Sequence, residues 1–534
     1  MAGKHTFVAL RIMAALAWLL GWWLAPAAPA QADNVVTNCT ENGLDAALGP
    51  GTVTFNCGGH HLPATIAFIT PMIFTSDITI DGSNGGNLVA LEAISNTVIF
   101  SVTNGASLAL SNLVLLSSGS TVGDGGCLYT NSALRLNNVE VKQCHAAAGH
   151  RGGALYVDSA GSAEVVNSSL HDNSAGVAGG AIYSLAALTI TASTLEHNAA
   201  TTADGGGLWA IGQTRIDGST FYSNTAPNGY GGGLYNQGTL SMTNSVLSAN
   251  QAGLGGGGLQ TYLGTTALTG VTLSGNSARS SSGGGISDEM GTITVMNAAF
   301  SGNSAGFGGG GMFNHDGVLT ATNATFSGNS AHFDGGGIGN IHDAGIGAMT
   351  LANATLSGNL AHQGGGIYNI GATSLTNVTL NNMVDISGTA DNLYAGDGVL
   401  TLTSSIVTFN ALAGGFNCFG AGSTKLVSGG YNLASDTSCG LLHFGDQQPA
   451  NALLGPLVYN GGPRTGAGGD PLLTQLPGAS GPAIDEVPLG VNGCGTTLIT
   501  DERGAPRPIN HKCDIGAVEA GWVYAQLWLA FVRR

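Results

Sequence analysis

An apolar residue that follows a glycine cluster recurs at Leu128, Leu155, Ile182, Leu208, Leu234, Leu259, Ile286, Met312, Ile338 and Ile367, in steps of 25 to 29 residues. An asparagine keeps the same time, at Asn173, Asn198, Asn224, Asn250, Asn276, Asn303, Asn329 and Asn359. A fixed period of this length is the signature of a solenoid. Within one repeat, "GVLTATNATF" and "AMTLANATL" alternate apolar with small or polar residues, the period of a β-strand. No repeat holds ten residues at helical spacing. Three short strands joined by Gly and Asn turns fill about 26 residues, so the spacing predicts an all-β, right-handed parallel β-helix of about a dozen rungs, stacked ~4.8 Å apart.

Composition fits that architecture and narrows function. Glycine supplies 88 of the 534 residues, which a solenoid uses where backbones approach closely or φ turns positive. Charged residues make up 8% and hydrophobic ones 43%, which rules out a disordered chain. The net charge is −17, and from residue 152 to 424 the only basic side chains, histidine aside, are Arg215 and Arg279. A nucleic-acid partner is excluded, because phosphate binding needs a Lys/Arg footprint.

Residues 1–32 read as an export signal: Lys4 and Arg11, then "IMAALAWLLGWWLAPAAPA" ending in small residues. Residues 33–115 form an N-terminal cap and first rungs, 116–440 the glycine-rich repeats, and 441–521 a Pro-rich C-terminal cap. The tail 522–534, "WVYAQLWLAFVRR", is too short to span a bilayer and reads as an anchor, a sorting signal or a cap strand. Membrane association is expected only through the signal or this tail. The eight cysteines fall as sequence neighbours: Cys39 with Cys57, Cys127 with Cys144, Cys418 with Cys439, and Cys494 with Cys513. Sequential disulfides in a secreted or cell-surface protein are expected.

One polar cluster stands out. Asp288-Glu289, His315-Asp316 and His342-Asp343 recur at 27-residue steps after the glycine-flanked strand. Stacked on adjacent rungs, they would line one face as a ligand or Ca²⁺ site, or share protons; solvated turn residues are the plainer alternative. His332 and His362, with Asp334 nearby, form a second such pair. Tyr156, Tyr183, Trp209, Tyr235, Phe313 and Tyr368 follow the marker residue and read either as core or as an outer ladder of rings for stacking against sugars.

"GGAI" at 179–182 with "FSGN" at 300–303 and 326–329 resembles the paired repeats of polymorphic outer membrane proteins, surface β-helices implicated in adhesion, although no barrel strands follow residue 440. "GGYNLASDTSCGL", "GPLVYNGGP", "LPGASGPAIDE", "DERGAPRP" and "CDIGAVEAG", in order between residues 429 and 521, resemble the choice-of-anchor Q domain of bacterial secreted β-helix proteins, with Glu502 where that family usually has Gln. These resemblances imply a pectate-lyase-like solenoid and give no catalytic residue to carry over. The reading is a structural or adhesive protein that binds an extracellular polysaccharide or a cell-surface component. The alternative is a polysaccharide lyase or glycoside hydrolase on acidic polysaccharide, though lysine is absent between Lys142 and Lys425 and the polygalacturonase signatures are missing.

Overall fold

A computed structural model of the protein describes residues 34–521, apart from 50, 58–64, 85–86, 344, 346, 382, 386–391, 409–415 and 421–424. The export-signal and tail assignments therefore lie outside the described residues. The chain winds into a parallel β-helix. One sheet stacks 14 strands and a second stacks 11 very short ones. The third and largest has 26 strand segments, since many rungs contribute two. The 14 stacked strands give slightly more turns than the sequence expectation of about a dozen.

Each rung is built from the residues that keep the period. The marker residues Leu155, Ile182, Leu208, Leu234 and Leu259 pair in register and are fully buried, forming an apolar ladder in the bore. The long-strand sheet bends once per rung at a residue in the left-handed conformation, for example Asn138 (φ 55°), Asn297 (52°) and Asn323 (53°). Asparagine suits these corners because its short amide tolerates that conformation. The glycine clusters answer a packing need as well: an added Cβ on Gly153 would lie 1.9 Å from the Gly180 carbonyl oxygen one rung on.

The period asparagines are buried and bonded to each other. Asn224 donates its backbone N–H and its Nδ2 to Asn250 Oδ1, both at 3.0 Å, and Asn250 does the same to Asn276. The ladder runs from Asn173 to Asn359. It satisfies one turn of polar backbone per rung in a place that water does not reach.

The ends and one side are covered. A helix, Glu41–Ala47, is capped by Thr40, whose Oγ1 accepts from Gly43 N at 3.2 Å, and it buries Leu44. At the other terminus the Pro-rich segment folds back along the outer face of the long-strand sheet. Gly516 N meets Ser404 O at 2.8 Å, Asn353 Nδ2 meets Thr500 O at 3.0 Å, and Gly466 N meets Gly270 O at 2.7 Å. Buried ion pairs hold its own turns, Arg503–Asp501 at 2.7 Å and Arg507–Glu519 at 2.9 Å.

The four disulfides join the sequence neighbours. Cys39 bonds to Cys57 with Cα atoms 5.7 Å apart, and Cys127 bonds to Cys144 at 5.5 Å. Cys418 bonds to Cys439 at 4.9 Å, and Cys494 bonds to Cys513 at 5.9 Å. These eight side chains are therefore cross-links of the rungs and caps and contribute no thiol to a ligand site. Four such bonds fit an oxidising, extracellular environment. No helix among the described residues is long and apolar enough to cross a membrane.

Candidate binding flank

The residue after each marker points out of the bore, because neighbours on a strand face opposite sides. On the 14-stranded sheet this position is aromatic in five consecutive rungs. Tyr129, Tyr156, Tyr183, Trp209 and Tyr235 stack with centroids 4.2 to 6.0 Å apart and planes within 6° of parallel. They are an outer ladder and not bore filling, although Tyr156, Tyr183 and Tyr235 are only 7 to 8% exposed, the first two packed in a cluster with Val177, Ala178, Leu185 and Ala203 as well as with neighbouring rings. Arg151 lies over the Tyr183 ring at 5.4 Å. Tyr129 donates to Asp158 Oδ2 at 2.7 Å, and burial together with that carboxylate pushes its phenol up to about 12. A second stack, Tyr368–Tyr394–Phe419, continues near the C-terminal end. Tyr394 and Phe419 escaped the sequence reading because no glycine triplet precedes them; their step from Tyr368 was the available signal.

The ladder breaks after Tyr235, where the register places Gln260 and then Ser287. A cleft of about 400 Å³ opens there, lined among others by Asp204, Tyr230, Tyr235, Gln260, Tyr262 and Glu289. Tyr262 and Glu289 are adjacent in register on the same sheet. Asp204 accepts from Tyr230 N at 2.8 Å, and burial raises its carboxyl above the usual range. Burial and the nearby Asp204 and Glu289 likewise raise the phenols of Tyr230 and Tyr235, so both rings stay neutral.

The acid–histidine cluster is not the three-tiered face the 27-residue steps predicted. The sheet advances 26 residues between Ile286 and Met312, so Glu289 pairs with His315, His315 with Ile341, and Asp288 with Asn314. Asp288 points into the bore and is 1% exposed, whereas Glu289 points out into the cleft. His315 Nε2 lies 3.1 Å from Asp343 Oδ2 and 3.9 Å from Asp316 Oδ2. Asp316 organises the next turn, accepting from the backbone N–H of Asp343 and Gly345 at 3.0 and 2.8 Å. His342 is exposed and stands within electrostatic reach of Asp397. The structure thus brings together His315, Asp316 and Asp343, and separates them from Asp288 and His342. Among the described residues no group of three or more His, Cys, Asp or Glu converges as a metal centre. His332 packs edge-on against Phe333, and burial raises the Asp334 carboxyl above its usual range, with His362 only partly opposing the rise.

Fold and flank together define a disulfide-bonded parallel β-helix with an aromatic outer ladder. Among family models, curated proteins and solved structures, nothing matches the chain.

Proposed function

We propose that this β-helix is a secreted or surface-displayed rod whose long outer flank binds a glycan or another extracellular surface. The observation that carries this reading is the stacked outer column from Tyr129 to Tyr235, ending at the cleft. A column of rings in the core would need no explanation. On an outer face, five in register form an amphipathic strip of the kind enriched where proteins meet ligands. The C-terminal motifs that resemble an anchor-associated domain point the same way, as do the four disulfides.

Pull-down of the secreted chain on insoluble acidic, neutral and amino polysaccharides tests the reading. Retention on one of them, weakened by Trp209→Ala, is the expected result. Failure to adhere to any polymer would overturn the proposal.

A polysaccharide lyase or hydrolase is the second reading, favoured by the paired carboxylates Asp204 and Glu289 in one cleft. New reducing ends or unsaturated uronates, abolished by Glu289→Gln, would replace binding with catalysis.

A further inference from the structure

The cleft at the break in the ladder has a chemistry of its own. Asp204 and Glu289 both reach it and none of the residues lining it is basic; His315, beside Glu289 on the next rung, is turned to Asp343 at 3.1 Å. Gln260 supplies the second observation. It is 1% exposed, its Nε2 is committed to the Thr261 carbonyl at 3.1 Å, and its Oε1 accepts no hydrogen bond. That oxygen lies beside the Tyr230 ring: a carbon added at Gly255 would sit 3.2 Å from the one and 3.3 Å from the other. A buried, unfilled acceptor in a cleft calls for a donor from outside.

Three tyrosine side chains form much of the remaining wall. Tyr230, Tyr235 and Tyr262 line the cleft together with the two carboxylates, whose charge reaches the Tyr230 and Tyr235 phenols. Aromatic faces beside acids attract organic ammonium groups, the arrangement of an aromatic cage. Calcium is a poorer fit, because it takes roughly six to eight oxygen ligands and ring faces offer none. The volume, about 400 Å³, is that of a small-molecule pocket and accommodates a whole ring, more than a slim alkylamine needs. Thr202 and Asn228 on the exposed rim add polar groups suited to ring hydroxyls.

We infer that this cleft binds a sugar bearing a free, protonated amine, as found in a polymer of non-acetylated hexosamine. The ammonium is held by Glu289, Asp204 and the tyrosine faces, with a donor directed to Gln260 Oε1. The inference rests on the flank-binding reading and assigns it a ligand class and a place.

The test compares glucosamine oligomers with N-acetylglucosamine oligomers of equal length, titrated into the full secreted chain by calorimetry at mildly acidic pH. The expected result is binding of the amine form, with at least ~10-fold weaker binding of the acetylated form, which has lost the charge. Glu289→Gln and Tyr262→Ala are each expected to weaken the amine form ~10-fold with an unchanged melting temperature. Equal affinity for both oligomers, or undiminished binding by Glu289→Gln, would overturn the ammonium site and leave the flank reading standing. Absence of binding to any glycan would overturn both. Capture of polylysine without the glucosamine oligomer would overturn the sugar assignment in favour of a basic protein partner.

Discussion

Asn314 donates its Nδ2 to Asn340 Oδ1 at 2.7 Å, one rung on, and Asn340 donates to Asn369 Oδ1 at 2.9 Å. This direction leaves Asn314 Oδ1 on the side of Asp288. A Cβ on Gly317 would lie 2.2 Å from Asp288 Oδ2 and 2.7 Å from Asn314 Oδ1, so both oxygens crowd one spot. Neither these atoms nor Asp288 Oδ1 has a hydrogen-bond partner of good geometry. A proton on Asp288 resolves the clash of acceptors. Burial accordingly pushes its carboxyl from 3.8 to about 7, with Glu289 adding to the rise and the Gly291 N–H opposing it.

Because the folded value lies above the unfolded one, the contribution of Asp288 to stability is complete below pH 3.8. It is lost as the pH rises to about 7, by on the order of 4 kcal/mol. Asp288→Asn supplies a permanent donor and flattens that decline. Denaturant melts of both proteins across this range are expected to converge in acid and separate above neutrality, with the variant more stable. Parallel curves would mean that Asp288 is not the titrating group.

Glu502 makes a second such case, on the outside of the sheet. Thr325 Oγ1 lies 2.6 Å from the Leu473 carbonyl and 3.0 Å from Glu502 Oε1. A hydroxyl has one proton and here faces two acceptors, so a proton on Glu502 Oε1 relieves the competition. Complete burial raises its carboxyl well above 4.5, outweighing the Thr355 and Thr325 hydroxyls. Its contribution is thus present below pH 4.5 and lost as the pH rises through the raised folded value. Glu502→Gln is expected to keep the segment docked at alkaline pH, where the wild type loosens. Glu502→Ala is expected to weaken docking at all pH values by ~1–3 kcal/mol. Limited proteolysis within residues 457–520 as a function of pH reads both; equal cleavage of wild type and Glu502→Gln would refute the assignment.

The rung, its strands and the cysteine pairs were legible because each follows from a repeated local rule. The period of two that puts Leu155 inside and Tyr156 outside lies in the chain itself, although the sequence left the rings open between core and outer ladder. Cys127 and Cys144, or Cys494 and Cys513, close loops short enough that nearest neighbours are the natural partners. The acid–histidine face was misread for want of the same rule: Asp288 and Glu289 are consecutive on a strand and must face opposite ways. A single residue of slip, 27 against 26, then moved His315 opposite Glu289. The cleft was not legible, since Asp204, Tyr230, Tyr262 and Glu289 come from different rungs and meet through turn geometry. Nor was the fold-back of the C-terminal segment, because contacts such as Thr272–Thr465 join residues 193 apart with no local pattern to announce them.

The buried asparagine ladder should be the costliest polar element to interrupt. Asn250→Ala leaves the Asn224 backbone N–H without its acceptor and the Phe221 carbonyl without its Nδ2 donor at 2.9 Å. Both groups are sealed from water, so a loss of ~2–4 kcal/mol is expected. Thr239→Ala, exposed on a strand, is expected to cost less than ~0.5 kcal/mol. Chemical denaturation compares the two, and an Asn250→Ala loss as small as that of Thr239→Ala would show that the ladder contributes nothing net.

Glycine should matter for two separable reasons, and a pair of alanine substitutions distinguishes them. At Gly302 the backbone has φ 60° but an added Cβ meets nothing within 4 Å. Gly302→Ala therefore carries only the left-handed strain, ~1–2 kcal/mol. At Gly153 the added carbon would sit 1.9 Å from the Gly180 oxygen and 2.7 Å from backbone atoms of Ser174. Those are main-chain atoms of the next rung, so relief requires pushing rungs apart and breaking the hydrogen bonds between them. Gly153→Ala is expected to lower the melting temperature far more than Gly302→Ala, or to prevent secretion of folded protein altogether. Equal, modest losses at both positions would mean that φ alone explains the glycines and that the rungs have room to yield.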